Sequence, residues 1–187
     1  MPSAPANSQA STVPLCVDLD GTLIRTDVLW VSMRLLLKRN PFYLFLIGGW
    51  FLRGRALMKM KIAERVELNA ALLPYHQPFF EYLKSEKSQG RMLVLATAAD
   101  FRLAKTVADH VGLFDEVVAS DGKTNQRGRN KGHTLSAKFG RKNFDYAGNS
   151  TVDLPVWEQS RCAIVVNADE SLVARARRIA EVSLVFP

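Results

Sequence analysis

Two carboxylates one residue apart are the side chains of this sequence best placed to do chemistry. Asp18 and Asp20 lie in the stretch LCVDLDGTLI, directly after an apolar run. Because successive strand residues face opposite ways, the two carboxylates can project from the same face. Two like charges this close need a cation between them or a proton on one of them. The pair therefore predicts a divalent-cation site, a proton-transfer site, or both.

The position of this pair in a predicted sheet favours ligand binding. Residues 15–18 read as a short buried strand, and open α/β sheets bind ligands beyond the carboxyl ends of parallel strands. Gly21 allows the backbone to turn sharply and to approach a ligand closely. The alternative is a strand that simply ends in acidic turn residues, since Asp and Gly are common turn formers.

Thr97 and Lys131 are candidates for binding phosphate. Thr97 ends the predicted strand 91–97, where its hydroxyl and the following backbone N–H groups, beginning at Ala98, would form an anion site. The alternative is a threonine that caps the next helix. Lys131 lies at a predicted helix start, where a cation opposes the helix dipole and a phosphoryl oxygen would explain it. The alternative is a solvated lysine.

Asn149 and Asp153 are polar residues of a fourth motif. The stretch YAGNSTVDLPVW reads as a strand that ends at Gly148, then a polar loop, with Asp153 where a helix begins. An Asn offers a carbonyl oxygen to a hard cation but no charge.

These motifs, in this order, resemble the haloacid dehalogenase-like (HAD) superfamily, whose members are mostly phosphatases and phosphotransferases. The resemblance spans roughly residues 14–180 and implies Asp18 as the nucleophile and Asp20 as the general acid/base. It further implies phosphate binding by Thr97, Lys131, Gly21 and Ala98, and Mg²⁺ binding by Asp18, Asp20, Asn149 and Asp153. The family commonly has an acidic residue at the position of Asn149, so one charge is missing here. The stretches DLDGTLIRTDVLW, KRNPFYLFL and YAGNSTVDLPVW more closely resemble HAD domains fused to UbiA-type prenyltransferases, membrane enzymes that handle polyprenyl phosphates.

The remaining elements predict an α/β fold. Strands at 91–97, 116–119, 144–147, 163–166 and 182–186 alternate with helices at 100–110, 131–139, around Val156 and at 170–180. This pattern predicts a three-layer, doubly wound parallel sheet. Residues 27–89 read instead as helices at 28–37, 42–52 and 56–71 and a last one that runs to about Ser88. We therefore expect a core domain of residues 14–26 and 90–187, a helical cap at 27–89 inserted after the first strand, and a disordered tail at 1–13 that is not a signal peptide.

The basic excess of the sequence is confined to residues 25–65, most of which lie in the predicted cap. Residues 25–65 contain nine Lys and Arg against two acidic residues, which equals the net charge of +7 of the whole chain. The apolar runs 28–37 and 42–52 are shorter than the roughly 20 residues needed to cross a bilayer. They pack either inside the cap or against lipid or a partner. The charge favours an anionic membrane surface, while no recognition module accompanies it that would indicate nucleic acid. Cys16 and Cys162 are expected to be buried free thiols, which is typical of a reducing compartment and predicts a cytoplasmic location, including the inner face of the membrane.

Together the residues and the resemblance predict a Mg²⁺-dependent phosphatase that acts through an aspartyl-phosphate. Its substrate would be a phosphorylated molecule, with a lipid-linked or prenyl-related phosphate as the candidate suggested by the cap. Two alternatives stay open. One is a non-catalytic module that binds phosphate or positions a membrane partner, which Asn149 favours. The other is a soluble small-molecule phosphatase whose apolar insertion is only cap core.

Overall fold

A six-stranded parallel sheet forms the centre of the protein, as seen in a computed structural model that describes residues 13–187. The strands are β1 (Leu15–Val17), β2 (Leu93–Asp100), β3 (Glu116–Ser120), β4 (Asp145–Gly148), β5 (Cys162–Val166) and β6 (Glu181–Phe186). Their order is β3-β2-β1-β4-β5-β6, and every neighbouring pair is parallel. This confirms the predicted doubly wound sheet. The predicted disordered tail, apart from residue 13, lies outside the described residues.

Eight helices accompany the strands within residues 13–187. They are α1 (Val28–Arg39), α2 (Tyr43–Leu52), α3 (Arg55–Ala63), α4 (Gln77–Ser88), α5 (Phe101–Val111), α6 (Arg129–Phe139), α7 (Leu154–Trp157) and α8 (Glu170–Arg177). Side chains of α4 and α5 pack on one face of the sheet, and those of α6, α7 and α8 pack on the other. The strands β1, β2, β4 and β5 are therefore buried on both faces, which explains their mostly apolar sequences, whereas β6 at one edge of the sheet is largely exposed.

Helices α1, α2 and α3 form a small core of their own. Leu36, Ile47, Met58 and Ile62 are buried together there, separate from the two clusters that cover the sheet. Helix α4 instead buries Phe79 in the cluster that contains β1 and β2. The boundary of the cap at residues 27–89 stays a prediction.

One predicted helix is wrong in length. The pattern predicts a helix over 56–71, but α3 ends at Ala63, and only a short 3₁₀ turn at Ala70–Leu72 follows. Val66 packs on the small cap core, whereas Leu68 packs on the sheet cluster. The chain must cross between two cores in this interval, and this tertiary packing overrides the helix propensity of the sequence.

Candidate active site

Asp18 and Lys131 form a buried ion pair at the carboxyl end of β1. Asp18 directly follows β1, whose neighbours in the sheet are β2 and β4, so its side chain emerges between two other strand ends. Lys131 lies in the first turn of α6 and donates to Asp18 Oδ1 at 2.7 Å. Its side chain is 3% exposed, so it is not the solvated lysine that the sequence left open. The carboxylate explains why a cation occupies this helix start.

Asp20 lies in the same cavity but has a different partner. Its Oδ1 accepts a hydrogen bond at 2.8 Å from the backbone N–H of Val28, at the start of α1. Within the described residues it forms no ion pair, whereas Asp18 has Lys131. Burial raises the pKa of Asp20 to about 8, and the nearby charge of Asp27 adds to this effect. Burial also raises the pKa of Asp18, but only to about 6, because Lys131 opposes the shift. The two carboxylates are thus driven toward different protonation states.

Tyr146 connects Lys131 to Asp153. Its hydroxyl accepts a hydrogen bond from Lys131 Nζ at 2.7 Å and donates one to Asp153 Oδ1 at 2.8 Å. The other oxygen of Asp153 accepts from the backbone N–H groups of Asn149 and Ser150 and from the Ser150 hydroxyl, at 3.0–3.2 Å. Burial, followed by the charges of Asp153 and Asp18, raises the pKa of Tyr146 well above its usual value. Tyr146 therefore stays a neutral donor that joins β4 to Lys131 of α6 and to the turn that contains Asp153.

Asn149 is held in the cavity by the turn that follows Asp20. The hydroxyl of Thr22 lies 3.4 Å from Asn149 Oδ1. Gly21 has φ +78°, and a Cβ at this position would collide with the Asn149 side-chain amide. Gly21 is thus needed both for its backbone conformation and for the space that Asn149 occupies.

The last residues of β2, where the pairing with β3 is irregular, supply the opposite wall. Thr97 is fully buried and its hydroxyl accepts a hydrogen bond from the N–H of Ala99 at 3.0 Å. Ala98 and Ala99 line the cavity, while Thr97 lies behind them. The helix cap here is Asp100, whose side chain accepts from Arg102 N. Phosphate binding by Thr97 and Ala98 stays a prediction.

Together these groups line a cavity of about 420 Å³ at the carboxyl ends of the central strands. This volume is typical of small-molecule sites. All four acidic or amide residues expected to bind metal are among its lining residues: Asp18, Asp20, Asn149 and Asp153. The cavity is covered by cap side chains, including Phe51, Met58 and Lys59.

The donor set of this cavity fits Mg²⁺ in part. Mg²⁺ prefers oxygen ligands, keeps several waters and is often bound through one or two carboxylates plus a substrate phosphate. Asp18, Asp20 and the Asn149 amide could supply such oxygens. Asp153 is already engaged on both oxygens, and no group of three His, Cys, Asp or Glu side chains in residues 13–187 is arranged to hold a metal by itself. Asp153 fits better as the residue that fixes the Asn149 backbone than as a direct ligand.

Tyr146 and Lys59 are among the polar residues of the site that the sequence-based prediction lacks. Tyr146 could have been found, because a tyrosine on a strand buried on both faces needs a partner for its hydroxyl. Lys59 could not, because nothing local distinguishes it from the other basic residues of 25–65. Its Nζ donates to the Ala98 carbonyl at 2.5 Å and to Asn125 Oδ1 at 3.3 Å, so it joins α3 to the end of β2 and to the loop after β3.

The fold and the site define a three-layer α/β protein whose cavity lies at the carboxyl ends of the central strands. Residues 15–158 match the family of haloacid dehalogenase-like hydrolases. The chain therefore belongs to this family. A sequence relative, the uncharacterized protein y4nM of Sinorhizobium fredii, is 36% identical over 155 residues, which is 82% of this chain. The chain spans only 30% of the length of that relative.

Solved structures of low sequence identity share the fold. A protein of unknown function from Bordetella pertussis Tohama I is 16% identical with a TM-score of 0.66, over 91% of this chain and 97% of that one. A substrate-bound phosphoserine phosphatase is 11% identical with a TM-score of 0.61, over 94% of this chain and 93% of that one. A phospho-aspartyl intermediate analogue of phosphoserine phosphatase is 13% identical with a TM-score of 0.59, over the same shares of the two chains. At these identities the likeness concerns the fold alone.

Proposed function

We propose that this protein is a phosphatase that acts through a phosphorylated Asp18. The observation that carries the proposal is the unequal environment of two neighbouring carboxylates in one cavity. Asp18 is paired with Lys131 at 2.7 Å, while Asp20 is bound only to the Val28 N–H among the residues that are described. A carboxylate beside a cation stays ionised and can attack, and a buried one without a cation holds a proton. The phospho-aspartyl analogue reported for a protein of the same fold agrees with this assignment.

The reaction would proceed in two steps, transfer of the phosphoryl group to Asp18 and hydrolysis of the phosphorylated Asp18. In the first, a carboxylate oxygen of Asp18 forms a bond to phosphorus as the bond to the leaving oxygen breaks, and Asp20 gives its proton to that oxygen. In the second, Asp20 takes a proton from water, the water oxygen attacks phosphorus, and the bond to Asp18 breaks to release phosphate. Lys131 balances the charge at Asp18, and the N-terminal end of α6 faces the same cavity at Gly128. Both favour a negatively charged group there.

Mg²⁺ is part of this proposal. When bound, it would neutralise phosphate charge so that an anionic carboxylate can approach. Asp18 and Asn149 would hold it through side-chain oxygens, and Asp20, whose carboxyl carries the proton used in the first step, would hold it through its backbone carbonyl oxygen. We expect Asn149→Asp to lower the Mg²⁺ concentration that gives half-maximal activity, because a further carboxylate strengthens binding of a hard cation. Calorimetric titration of Mg²⁺ into both proteins checks this independently of turnover, and an unchanged or weaker affinity would remove Asn149 from the metal site.

The decisive experiment compares Asp18→Asn with wild type on an aryl phosphate in the presence of Mg²⁺. We expect Asp18→Asn to lose activity and to keep the melting temperature of wild type. The control is Asp109→Asn, which changes an exposed carboxylate of α5 and should leave activity unchanged. Acid-quenched mass spectrometry should find a phosphoryl group on Asp18 during turnover. Undiminished activity of Asp18→Asn would refute the nucleophile. Absence of turnover by wild type on all phosphate esters tried would instead favour the non-catalytic phosphate-binding module.

We further propose that the cap rests on an anionic membrane surface and that the substrate is a lipid-linked phosphate. Several large apolar side chains of α2 and its flanks face outward rather than into the cap core: Phe42, Leu44, Phe45 and Leu52 are 60–87% exposed. Exposed basic residues, including Lys38, Arg39 and Arg53, flank them. Such a surface matches a membrane with anionic headgroups, where each basic residue contributes about 1 kcal/mol. Within residues 13–187, no helix combines the length and apolar character required to cross a bilayer.

Cosedimentation with liposomes tests the membrane proposal. We expect binding that rises with phosphatidylserine content, falls with salt, and drops when Lys38, Arg39 and Arg53 become Gln. The matched control replaces by Gln Arg175 and Arg177 of α8 and Arg178, which directly follows it, and so removes the same charge from the core. Absence of binding to anionic liposomes at low salt would favour a soluble small-molecule phosphatase. A UbiA-type prenyltransferase as the membrane partner stays a prediction.

A further inference from the structure

Three basic side chains other than Lys131 line the cavity: Arg55, Lys59 and Arg127. None of them takes part in an ion pair within the described part of the chain, although acidic residues line the same cavity. Those acidic groups are engaged elsewhere. Asp18 is bound to Lys131, Asp20 to a backbone N–H, and Asp27 to the first N–H groups of α1. The cavity thus holds positive charge that the phosphate-binding residues do not use.

Lys59 is the most constrained of the three. It is half-buried, and its Nζ contacts only neutral acceptors, the Ala98 carbonyl and the Asn125 side-chain oxygen. An ammonium has three donors, so one is left for a ligand. Burial lowers the pKa of Lys59, and Arg55 and Arg127 lower it further, while Asp20 and Asp27 oppose the shift. An anion bound at Lys59 would oppose this shift and favour its charged form.

The side chains beside these cations are apolar. Leu29 of α1, Phe51 of α2 and Met58 of α3 line the cap side of the cavity, and Arg55 lies over the Phe51 ring at 5.9 Å from its centroid. A ligand with its phosphate at Asp18 would therefore place its organic part against the cap. The cations of the cap lie where a second polar group of such a ligand could be bound.

We propose that Arg55, Lys59 and Arg127 bind a second anionic group of the substrate. The substrate is then a phosphate ester that carries another negative charge, either a carboxylate or a second phosphate. This inference rests on the proposed function, since it takes the phosphate position from Asp18 and Lys131. Lys59 is the specificity-determining residue, because its Nζ is held by the end of β2 and by the loop after β3.

A set of phenyl phosphates of nearly equal size tests the proposal. The probes are phenyl phosphate, 4-carboxyphenyl phosphate, phenyl diphosphate and the cationic 4-(aminomethyl)phenyl phosphate. For wild type we expect kcat/KM to be about tenfold or more higher for at least one of the two anionic probes than for phenyl phosphate, and lowest for the cationic one. Comparison of kcat/KM for 4-carboxyphenyl phosphate and phenyl diphosphate shows which anion the site accepts.

Substitutions at Lys59 separate recognition from a structural role. Lys59→Met should lower kcat/KM for the preferred anionic probe by about 10–100-fold and for phenyl phosphate by less than about threefold. Lys59→Arg should keep most of the preference, and Lys59→Glu should shift it toward the cationic probe. Lys61→Met is the matched control, since Lys61 lies on the same helix but pairs with Glu64 outside the cavity. An equal loss on all probes would overturn the proposal and leave Lys59 as a link between cap and core.

If the proposed phosphatase function is wrong, the result differs from the one that would refute the second-anion site. Wild type would then hydrolyse none of the probes, or Asp18→Asn would hydrolyse them as well as wild type. Binding of 4-carboxyphenyl phosphate, phenyl diphosphate and phenyl phosphate to Asp18→Asn, measured by calorimetry, still decides the second-anion site. Tighter binding of an anionic probe that is lost in Asp18→Asn/Lys59→Met supports it, and equal affinities for all three refute it.

Discussion

Replacing Tyr146 by Phe removes a single buried oxygen that connects two charged residues of the site. The hydroxyl accepts from Lys131 at 2.7 Å and donates to Asp153 at 2.8 Å. Hydrogen bonds to charged groups contribute about 1.5–3 kcal/mol each. The loss is partly offset, because Lys131 Nζ and Asp153 Oδ1 are already 3.9 Å apart and can approach one another. We therefore expect Tyr146→Phe to lower the free energy of unfolding by about 2–4 kcal/mol.

Urea unfolding followed by circular dichroism measures this change. Tyr75→Phe is the control, because the Tyr75 hydroxyl makes one neutral hydrogen bond, to the Ala70 carbonyl at 3.0 Å, and its removal should cost only about 1 kcal/mol. In the phosphatase assay Tyr146→Phe should also reduce kcat by about tenfold, because Lys131 loses one of the two partners that orient it. A destabilisation below about 0.5 kcal/mol would contradict the reasoning, since changes of that size are typical of surface positions.

Three further predictions concern other parts of the fold. Asp145→Asn removes the buried carboxylate that joins Arg91 and Arg161 at the amino end of β4. Urea unfolding should show that the free energy of unfolding falls by about 3–5 kcal/mol. A fall below about 1 kcal/mol would contradict a structural role of Asp145. Gly21→Ala should weaken Mg²⁺-dependent activity, because the added Cβ displaces Asn149. Gly112→Ala should only lower the melting temperature, because Gly112 has a similar positive φ but no atom lies close to the position of an added Cβ. Burial and Glu86 raise the pKa of Tyr82 to about 12, so its contribution to stability is present below pH 10 and is lost as the pH rises from 10 to 12. Tyr82→Phe should therefore flatten the fall of the melting temperature in that range, and an unchanged slope would remove Tyr82 as a cause.

The sequence predicts those features of the fold and the site that are determined by residues close together in the chain. The strand before Asp18 and the turn at Gly21 are local patterns, and the order of strands and helices determines a doubly wound sheet once all connections are right-handed. The position of Lys131 at a helix start is also a local pattern. A positive charge is unfavourable there, so this position predicts a negatively charged partner from elsewhere in the chain. Its partner is Asp18, 113 positions earlier in the chain.

What the sequence could not predict depends on which distant elements meet. The end of α3 at Ala63 follows from the two cores on which Val66 and Leu68 pack, and no local signal marks it. Likewise, Lys59 becomes part of the cavity only because α3 packs over the end of β2 that contains Ala98. The prediction for residues 25–65 treated all basic residues as one surface, but the structure places Arg55 and Lys59 at the cavity.

This division of the basic residues gives the cap two surfaces that can be altered separately. The cap core of Leu36, Ile47, Met58 and Ile62 lies between the outward apolar side chains of α2 and the inward cations of α3. A small core with few buried residues contributes little stability of its own, so it tolerates substitutions on its surfaces better than within it. If both proposals hold, changes on α2 alter where the enzyme works, and changes on α3 alter which phosphate ester it accepts. A variant with Phe42 and Phe45 replaced by Ser should then lose liposome binding while keeping the substrate preference of wild type, because neither residue lines the cavity.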